Sequence, residues 1–336
     1  MTRMNGRPSI ESVAAAVGVS PTTVSHALSG KRAVSAATRK RIMDAVEQQN
    51  YRPNMVAKGL RSQRTQSVAL LLVDIANPYY PAVARAIHDV LAREGYVSFI
   101  GNTDGDAATE RRLLEEMAAR GVDGVVMQPM ALSAAQVREV VGPAMPLVIT
   151  TDEYDDIPAD SVLTDDTRGL CEAVDHLVGR QIRELGFIDG PPAVSTDSFR
   201  LEAFRGAVAA AGVEVPDRWI EHAPFDREGG AAAAARLLAG PDRPRALLCA
   251  NDLIAIGAMQ AAHAAGLRVP EDIAIVGFDD IETAALVSPQ LTTVVNPAAA
   301  VGDACARTIL WRMENGPGAP YKQTVLPTRL VVRQSA

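Results

Sequence analysis

Helical spacing of apolar residues marks the first segment of the chain. In SIESVAAAVG, Ile10, Val13 and Val17 recur at intervals of three or four residues, which places them on one face of a helix. Ser9 is a suitable N-cap, and Gly18 can adopt the left-handed conformation that ends a helix. The pattern predicts a short amphipathic helix between these two residues.

A second and a third helix follow closely. In SPTTVSHALSG, Ser20 stands as N-cap, Pro21 occupies the first helical position and Gly30 provides the stop. The connection to the first helix is very short, and such a connection between two short helices predicts a helix-turn-helix. A third helical pattern begins at Ser35 and completes a three-helix bundle by Tyr51.

The second helix has two different faces. Its apolar face carries Val24, Ala27 and Leu28. Its other face carries the short polar residues Thr22, Ser25, His26 and Ser29. Exposure to solvent is one explanation for such a face. The other is that small side chains at the start of this helix permit a close approach to the major groove of DNA.

From Val68 onward, short apolar runs alternate with amphipathic helical patterns. The first part contains SVALLLV, YVSFIG and DGVVMQP, and the plan repeats later with RELGFIDG, RALLCAND and IAIVGFDD. Such alternation predicts a parallel sheet flanked by helices. Two lobes of this kind in tandem predict a cleft at the carboxyl ends of their strands, where ligands bind.

Charge is distributed unevenly along the chain. Residues 1–65 contain 11 Lys and Arg against three Asp and Glu, a net charge of +8, whereas the remainder has 22 against 37, a net charge of −15. A basic head on an acidic body fits a nucleic-acid-binding domain joined to one that does not bind nucleic acid. A solvated basic surface is the alternative.

Length and composition narrow the class of protein. A chain of 336 residues predicts two or three folded units. No apolar run is long enough to cross a bilayer and the first residues make a poor secretory signal, so we expect a cytoplasmic protein. The three widely separated cysteines suggest neither a disulfide framework nor a zinc cluster. The sequence lacks the common nucleotide-binding, metalloprotease and hydrolase motifs, and we expect no cofactor, no metal and no enzymatic activity.

Three N-terminal segments, GVSPTTVSHALSG, VSAATRKRI and NYRPNMVAKGL, together form a specific signature. The region resembles the headpiece of LacI/GalR-family transcription repressors, an all-α helix-turn-helix unit. The resemblance implies that the base edges of DNA are contacted by Pro21, Thr22 and His26. It assigns phosphate contacts to Thr23, Ser25 and Asn50 or groups near it.

The segment RPNMVAKGLRSQRTQS after Tyr51 can form only one or two helical turns, which are marginal alone in water. The resemblance implies that a hinge helix forms here on DNA and pairs with its copy from a second subunit. Leu60 stands where the family inserts a leucine between base steps of the minor groove, with Ala57 and Lys58 beside it. A flexible linker with an incidental leucine is the alternative.

The rest of the chain resembles a two-lobed α/β periplasmic-binding-protein-like (type I) effector domain with parallel sheets, through NPYYPAV, CANDLIAIGAM, VPEDIAIVGFDD and LTTVVNP. The resemblance implies that Tyr79 and Tyr80 stack on a ligand ring and that Arg200 donates to ligand oxygens. It also places in the cleft or at its edge Asn251, Asp279, Asp165, Thr196 and Phe225. Paired polar groups beside aromatic faces suit a sugar or a related polyol. Each of these residues could instead cap a helix or pack in the core.

We therefore expect a homodimeric repressor whose affinity for a near-palindromic DNA operator is modulated allosterically by a small ligand. The expected boundaries are 1–52 for the headpiece, 53–66 for the hinge helix and linker, and 67–336 for the effector-binding and dimerisation domain. Within that domain the N-lobe takes about 67–164 and 295–323, and the C-lobe about 165–294 and 324–336. Few residues follow the last strand pattern, so we expect no helical tetramerisation bundle. A sugar-binding transport component and an α/β enzyme acting on a sugar are the alternatives.

The position of His26 distinguishes this headpiece, because an arginine often stands there in the family and an imidazole cannot make the forked contact of a guanidinium to guanine. We expect protonated His26 to bind DNA better, since a cation beside phosphates and guanine acceptors is favoured. Titration of labelled operator DNA should then show affinity rising as the pH falls from about 8 to about 6. If affinity stays flat across that range while His26→Ala loses sequence preference, the charge of His26 plays no part.

Overall fold

The computed structural model describes residues 8–30, 32–52, 64–150, 159–191 and 199–336. The chain forms two compact units, Met1–Thr65 and Gln66–Ala336. Within the described ranges, no helix combines the length and the apolar character needed to span a bilayer.

The first unit is built from α1 (Ile10–Val17), α2 (Pro21–Ser29) and α3 (Ala36–Gln48). Each helix begins at a serine N-cap, because the side-chain oxygens of Ser9, Ser20 and Ser35 accept a hydrogen bond from a backbone N–H in the first turn. Gly18 and Gly30 end the first two helices in the left-handed conformation. The predicted starts of the three helices, and the predicted ends of the first two, are confirmed.

Apolar packing fixes the orientation of α2 in this bundle. Val13, Val24 and Ile42, one from each helix, are completely buried. The guanidinium of Arg41 on α3 also donates a hydrogen bond to the carbonyl oxygen of Val17, over 2.7 Å, at the end of α1. Because the apolar face of α2 is held inward by these contacts, its polar face remains at the surface.

In the described residues, the second unit contains two six-stranded sheets. The strands of the first sheet are β1 (Ser67–Leu72), β2 (Val97–Asn102), β3 (Gly124–Met127), β4 (Leu147–Ile149), β5 (Asp160–Asp165) and β11 (Gln323–Pro327). They lie in the order β11-β5-β4-β3-β1-β2, and every neighbouring pair is parallel.

The strands of the second sheet are β6 (Leu185–Asp189), β7 (Ile220–His222), β8 (Ala246–Cys249), β9 (Ala274–Asp279), β10 (Thr292–Val295) and β12 (Arg329–Val331). Their order is β12-β10-β9-β8-β6-β7. Among the strands that the structure describes in this sheet, only β12 runs antiparallel to its neighbour, β10. The predicted architecture of two α/β lobes with parallel sheets is confirmed.

The helices of this unit are α4 (Tyr79–Arg93), α5 (Ala107–Arg120), α6 (Ala134–Val141), α7 (Asp166–Gly179), α8 (Phe199–Ala210), α9 (Arg227–Leu238), α10 (Asp252–Ala264) and α11 (Ala298–Asn315). They cover both faces of the sheets. On the first sheet, Ile87 of α4 and Ile309 of α11 pack against Leu70, whereas Leu114 of α5 packs with Leu71. Successive strand residues point to opposite faces, so β1 is buried on both sides.

The chain passes between the two sheets three times, after β5, after β10 and after β11. Because β11 pairs with β5 from Gln323 to Pro327, it belongs to the first lobe. The last return to the second lobe therefore follows Pro327, a few residues beyond the boundary at 323 that the sequence suggested. Both lobes are assembled from separate stretches of the chain.

Two glycines allow a very close approach between α9 and α10. A Cβ atom at Gly257 would lie 2.1 Å from the carbonyl oxygen of Arg227, and one at Gly230 would lie 2.3 Å from that of Ile254. Backbone atoms cannot move aside as a flexible side chain can. Neither position has room for a side chain without separation of the two helices.

We expect Gly257→Ala to destabilise the second unit by about 1–3 kcal/mol, because the added methyl group must push α9 away from α10. The control is Gly206→Ala in α8, where a Cβ would meet no atom within 4 Å and alanine should be neutral or stabilising in a helix. Melting temperatures of the two variants and the wild type test this contrast. Equal melting temperatures for the two variants would contradict it.

Candidate functional site

A cavity of about 830 Å³ lies where the strands of both sheets end. Its size suits a small-molecule ligand. The predicted cleft residues that line it are Tyr79, Tyr80, Asp165, Arg200, Phe225, Asn251 and Asp279. Thr196 lies outside the described residues. The structure thus brings together at one cavity side chains that are up to two hundred residues apart in the sequence.

Arg200, on α8, holds the centre of the polar lining. Its Nε donates to Asp166 over 3.0 Å, and its Nη1 donates to the carbonyl oxygen of Ala250 over 2.6 Å. Its Nη2 lies 3.6 Å from a carboxylate oxygen of Asp279, and its guanidinium stacks on the ring of Phe278 at 3.8 Å. Burial lowers the pKa of Arg200, but the two carboxylates outweigh this effect and hold the pKa above its ordinary value. The guanidinium is therefore a fixed, charged group.

Asp279 ends β9 in an unusual backbone conformation. Its φ angle is 113°, a region that residues with a side chain rarely adopt. The side-chain amide of Asn296 donates to its carboxylate over 3.1 Å. Burial raises the pKa of Asp279 to about 6, although Arg200 and the hydrogen bond from Asn296 act in the opposite direction. This carboxyl group takes up a proton as the pH falls through about 6.

Tyr79 and Tyr80 begin α4 and contact each other edge to face, with 5.4 Å between ring centroids. The hydroxyl group of Tyr79 donates to Asn296 over 3.0 Å. Burial, followed by the negative charge of Asp279, raises the pKa of both phenols, so both stay neutral and retain their protons for hydrogen bonding. The pair places two aromatic rings and two hydroxyl groups in the lining.

Two of the predicted cleft residues also act as helix caps. The side-chain oxygen of Asn251 accepts a hydrogen bond from the N–H of Ile254 at the start of α10, and its amide group donates to the carbonyl oxygen of Phe225. Asp165 caps α7 in the same way through the N–H of Arg168. Asn251 and Asp165 therefore both cap a helix and line the cavity. Capping fixes the side chains, which leaves fewer of their atoms for a ligand.

The polar lining residues that the sequence did not single out include Asp166, Asp189 and Asn296. Asp166 and Asn296 are the partners that hold Arg200, Asp279 and Tyr79 in place. Asp189 is buried at the end of β6. A polar residue directly after a strand is the available signal for each, but their pairing depends on the order of strands in the two sheets.

The helix α2 presents the predicted DNA-contacting residues to different degrees. Pro21 and Thr22 are exposed, and Ser25 and His26 are half-buried. The hydroxyl group of Thr23 shares a hydrogen bond of 2.9 Å with that of Ser20.

Asn50 lies outside α2, exposed after α3, with a φ angle of 49°. The predicted hinge residues Ala57, Lys58 and Leu60 lie outside the described residues. The described surface therefore offers a short polar helix face with an asparagine at the end of the bundle.

Comparison with known proteins places both units in one family. Residues 9–54 match the model for bacterial regulatory proteins of the lacI family, and residues 174–336 match that for a periplasmic binding protein-like domain. The ribose operon repressor of Haemophilus influenzae is 32% identical over 326 residues, which cover 97% of this chain and 98% of that protein.

Solved structures show the same fold. The complex of the transcriptional regulator CelR with cellobiose is 28% identical with a TM-score of 0.73, over 98% of this chain and 100% of that one. The Lac repressor dimer bound to operator and the anti-inducer ONPF has a TM-score of 0.87 at 24% identity, over 98% and 99% of the two chains.

A helix-turn-helix unit joined to a two-lobed unit with a ligand-sized cavity defines a ligand-responsive DNA-binding protein. The chain belongs to the lacI family of bacterial regulatory proteins. It is a DNA-binding transcriptional repressor under allosteric control, and not an enzyme. The transport and enzyme alternatives are excluded by this assignment.

The raised pKa of Asp279 makes its contribution to stability dependent on pH. With a pKa of about 6 in the folded protein, against about 3.9 in an unfolded chain, its stabilisation is fully present below about pH 4 and is lost as the pH rises through 6. The asparagine of Asp279→Asn cannot ionise, so this variant does not lose stability in this way. The loss of stability in the wild type amounts to at most about 3 kcal/mol.

We therefore expect the melting temperature of the wild type, relative to that of Asp279→Asn, to fall between about pH 4 and pH 7. Melting curves of both proteins in matched buffers measure this difference. If the difference in melting temperature between the two proteins does not change with pH, then Asp279 has an ordinary pKa in the folded protein.

Proposed function

We propose that this repressor binds a near-palindromic operator as a homodimer in the cytoplasm, and that a sugar or related polyol bound in the cavity changes its operator affinity. The cytoplasm is where its DNA target would lie. Relatives named for ribose and bound to cellobiose support a sugar ligand. The dimeric Lac repressor on its operator, which shares the fold, supports the assembly.

On the DNA side, we infer that α2 lies in the major groove. Pro21 and Thr22 are exposed at its start, so they can approach base edges closely, and His26 one turn later can donate to a base. Phosphate contacts are proposed for Thr23, Ser25 and Asn50. Minor-groove contacts are proposed for Ala57, Lys58 and Leu60. Two copies of the headpiece related by a two-fold axis would read two half-sites.

On the ligand side, one observation carries the proposal: a series of polar contacts runs around the cavity from the first lobe to the second and back. It begins at Tyr79 on α4, passes through Asn296 and Asp279 to Arg200, and ends at Asp166. Asp166 in turn accepts a hydrogen bond of 2.6 Å from Thr164 on β5 of the first sheet.

A polyol that donates hydrogen bonds to these carboxylates, or accepts them from Arg200, would replace some contacts in this series. We infer that ligand contacts come from Tyr79, Tyr80, Arg200 and Asp279, with Asp165, Thr196, Phe225 and Asn251 around them. Because this series of polar contacts joins the two lobes, a ligand that binds one arrangement of the lobes more tightly than another shifts the equilibrium between the two arrangements. The resulting coupling to DNA is typically about 1–3 kcal/mol in allosteric proteins.

The experiment begins with DNA selected from a random-sequence pool by the purified protein, which we expect to be a near-palindrome. Its affinity is then measured with and without ribose and cellobiose, and the direction of the change identifies each as an inducer or a corepressor. We expect Arg200→Lys to need about 10- to 100-fold more sugar than the wild type for the same response, because lysine keeps the charge and loses the forked contacts.

Arg205→Lys serves as the control, since Arg205 lies on the same helix but does not line the cavity. It should respond to sugar as the wild type does. A response to neither sugar would count against a sugar ligand, and an asymmetric selected site would count against two equivalent headpieces.

A further inference from the structure

Asp252, the first residue of α10, is a completely buried carboxyl group. Its Oδ1 accepts a hydrogen bond of 2.6 Å from the hydroxyl group of Thr293 on β10, and its Oδ2 accepts one of 2.8 Å from the backbone N–H of Ile281, two residues after β9. The described lining of the cavity contains the neighbouring Asn251 but not Asp252. The side chain of Asp252 therefore joins α10 to β10 and to the residues that follow β9, outside that lining.

The carboxyl group of Asp252 also lies directly against β9. A Cβ atom at Gly277 would be 2.1 Å from its Oδ1, so that position has no room for a side chain while Asp252 stays in place. Burial, followed by the negative charge of Asp279, raises the pKa of Asp252, whereas its two hydrogen bonds lower it. We expect a group whose charge is disfavoured in this way to act through its hydrogen bonds and its fit against the strand.

Strand β9 leads into a turn through Asp279 and Asp280, whose φ angles are 113° and 55°. Residues with a side chain rarely adopt positive φ angles, and such a turn persists only where the surrounding structure holds it. At the start of the turn, Asp279 is paired with Val295 on β10. At its end, the N–H of Ile281 donates to Asp252. The strained turn is therefore anchored on both sides.

Two further side chains contact this turn. The amide group of Asn296 donates to the carboxylate of Asp279 over 3.1 Å, and the guanidinium of Arg333 donates to Asp280 over 2.5 Å. Asn296 lines the cavity, so a ligand that binds Asp279 can displace it. The hydrogen bond at Asp252 joins residues outside the described lining. A ligand therefore leaves this backbone anchor in place.

We propose that Asp252 is a positioning residue of the ligand site: through the N–H of Ile281 it holds the turn that directs the carboxyl group of Asp279 towards Arg200, 3.6 Å away. Asp252 itself does not contact the ligand. The inference rests on the proposed function, in which Asp279 contacts a sugar-like ligand, and it names a residue on which that contact depends. A contact residue binds well only when its position is held to within about 0.5 Å, and release of Ile281 would free the turn to relax.

The first test measures the affinity of ribose and cellobiose for full-length variants by calorimetry. For the sugar that binds, we expect Asp252→Ala to weaken binding at least about tenfold, a typical cost of losing a buried hydrogen bond. Asp252→Asn should bind as tightly as the wild type, because its oxygen can accept from Ile281 while its amide group donates to the hydroxyl group of Thr293. An Asp252→Asn variant as weak as Asp252→Ala would overturn the proposal.

The matched control is Ser335→Ala. The hydroxyl group of Ser335 is also buried, donates to the carbonyl oxygen of Ile275 on β9 and accepts from the N–H of Thr292 on β10. Its removal breaks two buried hydrogen bonds to the same two strands, near their starts and away from the turn. We expect Ser335→Ala to lower the melting temperature, as Asp252→Ala does, and to leave sugar affinity unchanged.

A double-variant cycle separates positioning from general damage. If Asp252 acts through Asp279, then Asp252→Ala should weaken sugar binding no further in a protein that already carries Asp279→Ala. A merely structural role of Asp252 would weaken binding by the same factor with and without Asp279, and that result would overturn the proposal. If Asp252→Ala does not fold, Thr293→Val repeats the cycle, since it removes one of the two hydrogen bonds, and should show the same dependence on Asp279 with a smaller loss.

Crystal structures of the ligand-free wild type and Asp252→Ala test the turn without any sugar. We expect the φ angle of Asp279 to become negative in the variant and its carboxyl group to move away from Arg200. An unchanged turn would overturn the positioning role. If neither sugar binds to the wild type, the proposed ligand class fails by itself, and the geometry of the turn still decides the role of Asp252.

Discussion

The guanidinium of Arg200 can remain in the cavity only because carboxylates hold it there. A buried charge without a partner costs several kcal/mol, whereas a paired and hydrogen-bonded one can be accommodated. The partners come from distant parts of the chain: Asp166 follows β5, Asp279 ends β9, and the carbonyl oxygen of Ala250 follows β8. The position of α8 at the cavity is therefore tied to both sheets, and a ligand that competes for any of these contacts acts on both lobes.

Local signals in the sequence predicted the first unit in detail. Ser9, Ser20 and Ser35 cap their helices, as expected, because an N-cap depends only on the next three residues. The alternation of strands and helices likewise predicted two lobes, since burial on both faces leaves a continuous apolar run in inner strands such as β1, β3, β8 and β9. The resemblance to one family then placed several side chains at one cleft, which no local pattern could have done.

Features that depend on pairing between distant strands were not predictable. Nothing near Asn296 in the sequence indicates that it links Tyr79 to Asp279, because that link exists only once α4 and the ends of β9 and β10 meet. The assignment of β11 to the first sheet depends in the same way on its pairing with β5.

The interleaved course of the chain has a consequence for biosynthesis. The first sheet needs β11, which is separated from β5 by five strands of the second sheet, and the second sheet needs β12, which follows β10 only after α11 and β11. During translation, the first sheet cannot be completed until residue 327 has left the ribosome, and the second cannot be completed until residue 331 has, whereas the three helices of the first unit need only the first fifty residues. A nascent chain can therefore carry a folded headpiece well before it possesses a complete effector domain, and in the interval the apolar strands already synthesised lack the last strand of their sheet.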